Sequence, residues 1–277
     1  MIATDLASLV ERHDAFLIDQ FGVLLNGVGA YPGAPEALAR LAQTGKPAVL
    51  LSNSGKRSLA NAKRLEALGF RRDSFIDVVS SGEAAYAEIG RRIGASIAPG
   101  TAVWLHARED DLTAIAGLDL VAVDRPEQAG LLLLAGSRGD VLSLKDYARM
   151  LGPAARQGIP CMCSNPDLEM LTPSGKRIGA GRIAELYIEL GGTVEWIGKP
   201  HPLIYHEALR HLPGVAAARI LCIGDSPAHD IVGGRRAGLA TALVRTGLHE
   251  ALSDAELTAM CLAEHGVPDF MIPRFAF

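Results

Sequence analysis

Ala15-Phe16-Leu17-Ile18-Asp19-Gln20-Phe21-Gly22-Val23 is the stretch on which the reading of this chain turns. Four apolar residues follow a charged stretch and stop at an aspartate and then a glycine, as a buried parallel strand does where it enters a loop. Helical spacing follows over residues 35–42, Gly45 ends it, and Pro47-Ala48-Val49-Leu50-Leu51 runs into Ser52-Asn53-Ser54-Gly55. This pattern predicts a β-α-β unit. Asp19 and Ser52 then stand at neighbouring carboxyl ends, the edge of an open parallel sheet that lines a ligand crevice.

The same rhythm continues along the chain. Helices are expected over 83–93, around 112–116 and over 142–156, with strands at 103–105, 120–123, 131–134 and 159–163. Asn165-Pro166-Asp167 and Pro173-Ser174-Gly175 mark a turn-rich return before an amphipathic helix over 180–190, which Gly191-Gly192 closes. The last third offers an apolar run at 194–197 before Gly198-Lys199-Pro200, then a helix over 202–212. Arg219-Ile220-Leu221-Cys222-Ile223 enters Gly224-Asp225, a helix follows over 230–237, and strands are expected at 241–244 and 270–272. No internal repeat and no Gly-, Ser- or Pro-rich linker separates independent modules, so an insertion into one core explains the order. The expected fold is α/β: a Rossmann-like parallel-sheet core over 1–81 and 190–277, with an α/β domain inserted at 82–189.

Composition narrows the function classes. The 277 residues are 49% apolar, enough for real cores, and 27 Lys plus Arg against 31 Asp plus Glu give a net charge of −4. Nothing resembles a polycation, so nucleic acid is not an expected partner. The densest apolar run, 129–136, is far shorter than the roughly 20 residues that cross a bilayer, and the first residues lack a basic-then-apolar signal. A cytoplasmic protein without membrane contact is expected. Cys161, Cys163, Cys222 and Cys261 are too scattered for a disulfide framework, and Cys161-x-Cys163 lacks the second ligand pair of a zinc site. Gly55-Lys56-Arg57-Ser58 ends like a phosphate-binding loop, but position 50 is leucine where that motif needs glycine.

Asp19, Ser52, Lys199 and the pair Asp225 and Asp230 come from widely separated segments, each at a strand end or nearby loop. In Leu17-Ile18-Asp19-Gln20-Phe21-Gly22-Val23, Leu50-Leu51-Ser52-Asn53, Gly198-Lys199-Pro200 and Ile223-Gly224-Asp225-Ser226-Pro227-Ala228-His229-Asp230, the chain resembles the haloacid dehalogenase-like superfamily across essentially its whole length. Ser80-Ser81-Gly82-Glu83-Ala84, Asn165-Pro166-Asp167 and the large insert are similar to the class IIA phosphatases, which carry an α/β cap.

The resemblance implies a Mg²⁺-dependent phosphatase acting on a small phosphomonoester, a sugar phosphate or nucleotide. In it Asp19 is the nucleophile that becomes an aspartyl phosphate, and Ser52 and Lys199 act on the transferring phosphoryl group, with Asn53 beside them for substrate binding. Asp19, the backbone carbonyl of Phe21 and Asp225 are the implied metal ligands, with Asp230 acting through a water or as an anchor. Copies of the chain would associate through the cap.

Phe21 departs from the pattern, since the family usually places there a second aspartate for general acid–base catalysis, and a phenyl ring transfers no proton. His201 and His229 are the nearest substitutes along the chain, though an ordinary loop role suits both. Arg57, near the Ser52 loop, stays unassigned. Two rival functions stay open on account of Phe21: a metal-independent 2-haloacid dehalogenase, and a phosphometabolite-binding protein that has lost effective turnover.

Overall fold

The computed structural model describes residues 2–108, 111–172 and 175–277. Within it the chain forms two compact units, Met1–Ser52, Ser58–Val79 and Lys199–Phe277 making the first, Asn53–Arg57 and Ser80–Gly198 the second.

The first unit is built on a seven-stranded sheet. Its strands lie in the order Ile2–Ala3, Phe270–Ile272, Ala240–Val244, Ile220–Gly224, Ala15–Asp19, Ala48–Ser52, Val78–Ser80. Every residue of Ala15–Asp19, Ala48–Ser52 and Ile220–Gly224 is buried, as expected of strands covered on both faces. Helix Ala34–Gln43 shows how a connection packs. Gly33 precedes it in the left-handed region, a proline occupies its first turn, and Ala37, Leu38 and Leu41 form the stripe it buries. Phe16, Ile18, Leu38, Leu50 and Leu221 share one core. Each side chain of this kind contributes about 1.5–3 kcal/mol on burial.

The chain leaves Ala15–Asp19 toward Ala48–Ser52 on one side and later fills the other side from Ile220–Gly224 outward. The strand order therefore reverses between Ala15–Asp19 and Ile220–Gly224, and a crevice opens outside the carboxyl ends at such a point.

The second unit carries a five-stranded parallel sheet in the order Val194–Trp196, Cys161–Cys163, Leu131–Leu134, Thr101–His106, Leu120–Ala122. Helices Leu144–Arg156 and Ala180–Glu189 pack over a core that includes Trp104, Leu132, Tyr147 and Tyr187. An antiparallel hairpin pairs Glu169–Thr172 with Gly175–Ile178.

Several expectations shift. The apolar run at 194–197 does not return to the first sheet: Val194 pairs with Cys161 and Trp196 with Cys163, so the division expected at 190 falls between Gly198 and Lys199. Asn53–Arg57 and Ser80–Ser81, expected in the core, go with the second unit. The helix expected around 112–116 is a 3-10 turn, Leu112–Ala114, and the return near 165–175 contains the hairpin. Of the turn expected at Pro173-Ser174-Gly175, the first two residues lie outside the described residues. The four cysteines are buried and free, and no helix among the described residues is long and apolar enough to cross a membrane.

Candidate active site

Asp19 is the last residue of Ala15–Asp19, and Asp225 follows Ile220–Gly224 directly. The two strands are in register with Ile18 beside Ile223, so both aspartates leave the sheet at the same level. Asp230 arrives on a π-helical turn, Pro227–Ile231, a widened turn often found at functional sites. Tyr205 fixes this turn by donating its hydroxyl to the His229 carbonyl at 3.1 Å.

These elements bring one carboxylate oxygen each from Asp19, Asp225 and Asp230 within 4.8 Å of one another. Lys199, the first residue of its segment, places Nζ 2.6 Å from Asp19 Oδ1 and 2.7 Å from Asp230 Oδ1. All four side chains are buried, with 7% exposure at Asp19 the largest. The second oxygen of Asp230 accepts the Ser226 N–H at 3.1 Å, so Asp230 is committed on both sides. It anchors Lys199 and the turn.

Burial drives the Asp19 carboxyl well above the usual carboxylate range; Lys199 pulls it down, and Asp230 and Asp225 add to the rise. For Lys199 burial works toward deprotonation, but Asp19 and Asp230 outweigh it and hold the ammonium firmly charged. Asp19, Asp225 and Asp230 thus gather three carboxylates, two of them paired with the Lys199 ammonium. An all-oxygen donor set of this kind fits a hard divalent cation such as Mg²⁺ or Ca²⁺. Asp19 and Asp225 would hold the ion, with Asp230 behind them through Lys199.

The loops around Asp225 are closed by two glycines. Gly22 and Gly247 both have left-handed φ, 83° and 86°, and a Cβ on either would overlap the Asp225 carboxylate. Thr246 Oγ1 donates to the Gly22 carbonyl at 2.6 Å and ties the loop after Asp19 to the loop after Ala240–Val244. Sequence reasoning passed over Thr246, Gly247 and Tyr205. The first two carry the same signal as Asp19, a polar residue and a glycine just beyond a buried strand, and were legible on that ground. Tyr205 lies inside a helix and gave none.

Ser52 is buried at the carboxyl end of Ala48–Ser52, the strand beside Asp19. Phe21 follows Asp19 by two residues with its side chain 44% exposed. Asn53 belongs to the second unit, where its amide donates to Asp167 Oδ1 at 2.9 Å. Arg57, in the same unit, pairs through Nε and Nη2 with the two Glu83 oxygens and lies over the Tyr86 ring. His201 sits at the residue before helix Pro202–Leu209 without a capping side-chain hydrogen bond, and His229 lies in the π turn; among the described residues neither belongs to the metal-ligating group of Asp19, Asp225 and Asp230.

Family comparison agrees with this geometry. A model described as haloacid dehalogenase-like hydrolase matches residues 16–120, and one described as HAD-hydrolase-like matches residues 196–273. Bovine (Bos taurus) chronophin is 30% identical over 98% of this chain and 94% of its own. A hydrolase of the haloacid dehalogenase-like family from Brucella suis superposes with a TM-score of 0.83 at 26% identity, over 99% of both chains. Glycerol phosphate phosphatase from Mycobacterium tuberculosis, solved in complex with magnesium, superposes with a TM-score of 0.76 at 25% identity, over 96% of this chain and 77% of its own. With its motifs, sheet order and relatives in agreement, this chain belongs to the haloacid dehalogenase-like hydrolases, class IIA.

Proposed function

We propose that this hydrolase is a phosphoric monoester hydrolase that uses a divalent cation, Mg²⁺, to cleave a small phosphomonoester through an aspartyl phosphate on Asp19. The meeting of Asp19, Asp225, Asp230 and Lys199 in one buried cluster carries the reading. Sugar phosphates and nucleotides are the first substrates to test, and the second unit is the inserted cap of the class IIA architecture.

Asp19 attacks phosphorus, the bond to the ester oxygen breaks, and its electron pair leaves with that oxygen. Water then attacks the phosphorus of the acyl phosphate, freeing inorganic phosphate and restoring the carboxylate. Lys199 opposes the charge carried by the transferring oxygens, and the Ser52 hydroxyl donates to one of them. A preorganised donor of this kind contributes roughly 3–4 kcal/mol to the transition state. When bound, the divalent cation neutralises phosphoryl charge and aligns the ester with Asp19. The intact acidic cluster speaks against a metal-free dehalogenase.

The test is phosphate release from a panel of phosphorylated metabolites with Mg²⁺ and with chelator. Chelation is expected to stop turnover, and Asp19→Asn to reduce it to background. Turnover indifferent to both would overturn the mechanism, and halide release from a 2-haloacid in chelator would favour the rival chemistry.

A further inference from the structure

The Phe21 ring is 44% exposed on the loop that leaves Asp19. The loop is stiff, with Leu24 N–H and Leu25 N–H both donating to the Gln20 carbonyl, at 2.9 and 3.0 Å. The ring is also held from one side: the Arg64 guanidinium lies 5.0 Å from its centroid, and Arg64 Nη2 donates to Gln20 Oε1 at 2.8 Å and to Asn61 Oδ1 at 3.2 Å. Arg64 meets no carboxylate among the described residues, and its buried Nε has no hydrogen-bond partner. A half-buried cation without an anion has been placed beside a presented ring, two residues from the attacking carboxylate.

Lys199 and Tyr205 are poor proton donors to a departing oxygen. Lys199 is clamped between two carboxylates, and the Tyr205 hydroxyl is turned to the backbone of the π turn. An ester whose leaving group must be protonated as it departs, an alkyl alcohol, is badly served. One that departs as a stabilised, planar oxyanion needs no proton, stacks on a phenyl face, and gains from a cation behind that face.

We propose that Phe21 and Arg64 form a leaving-group subsite that selects phosphate esters of planar, weakly basic oxygens, phenolic or enolic. The assignment rests on the phosphatase reading above and moves the preferred ester away from the sugar phosphates and nucleotides named there, which are alkyl esters. In the step it serves, Asp19 Oδ bonds to phosphorus while the ester bond breaks, and the electron pair passes to the conjugated leaving oxygen with no proton transferred.

The experiment is a leaving-group series with Mg²⁺: phenyl phosphates bearing withdrawing to donating substituents, and glycerol phosphate as the alkyl ester. Wild-type kcat/KM is expected to fall steeply as the leaving group becomes more basic, with glycerol phosphate at least about 10²-fold below phenyl phosphate, the lower end of what general acid catalysis supplies. Phe21→Asp should close most of that gap by raising the alkyl ester. Phe21→Leu, which keeps the site apolar, and Arg64→Gln, which keeps a hydrogen-bonding group, should each lower the aryl esters several-fold and spare glycerol phosphate. A flat wild-type series, or an aryl preference surviving in all three variants, would overturn the subsite and leave the phosphatase standing. Failure of wild type to release phosphate from any ester would remove both.

Discussion

At the residue scale the site depends on a buried cation, Lys199, paired with two buried acids. Lys199→Met leaves Asp19 and Asp230 without their shared partner. Removing one member of a buried pair costs about 3–5 kcal/mol, so a large fall in the denaturation midpoint is expected together with loss of turnover. Lys199→Arg should not restore activity, because a planar fork cannot take the place of a compact ammonium between two carboxylates 2.6 and 2.7 Å away. Gly247→Ala acts differently. The added methyl enters the Asp225 carboxylate, so cation affinity, followed by titration calorimetry, should fall by at least about tenfold, the scale seen when a metal ligand loses its orientation. These acids and the lysine were legible in the sequence because polar residues after apolar runs mark strand ends. Asn53 marks the limit of that signal. It lies one residue beyond its strand, and adjacency along the chain does not say which unit a loop residue turns to.

At the scale of elements, stability can be altered without touching the chemistry. Helix Asp254–Ala263 begins with a capping box in which the Ser253 side chain accepts the Glu256 N–H and Glu256 reaches back to Ser253. Ser253→Ala should lower stability by about 1 kcal/mol in chemical denaturation and leave kcat unchanged. Buried strands such as Ala48–Ser52 were readable because they are unbroken apolar runs. The hairpin over residues 169–178 was not, since Glu169, Lys176 and Arg177 interrupt any apolar alternation and the turn chemistry dominates. The strand Val194–Trp196 was recognised but assigned to the wrong sheet. A short run states that it is a strand and is silent about its neighbour, which proved to be Cys161–Cys163.

For the whole molecule, the carboxylate cluster links folding to both pH and metal. Burial, with Asp230 and Asp225 adding to it, places the Asp19 pKa above its unfolded value. As pH rises past about 3.8 the unfolded chain therefore loses its proton first, and metal-free stability declines until folded Asp19 ionises as well. A divalent cation binds the ionised cluster and offsets this loss. Mg²⁺ should accordingly raise the thermal midpoint, by more at pH 7 than at pH 5, in scanning calorimetry; an equal shift at both would contradict the linkage. The exact crossing points between the two units depend on contacts no single stretch displays.

Those crossing points bear on protein engineering. Asn53–Arg57 is joined to the second unit by contacts such as Gly82 N–H to the Ser54 carbonyl and Ser80 Oγ to the Lys56 carbonyl, at 3.0 and 2.7 Å. A chimaera that swaps residues 80–198 for the equivalent piece of a relative would inherit a foreign surface facing a native pentapeptide. Transplanting both fragments together keeps matched partners matched, so two-segment grafts should outperform one-segment grafts in expression and yield.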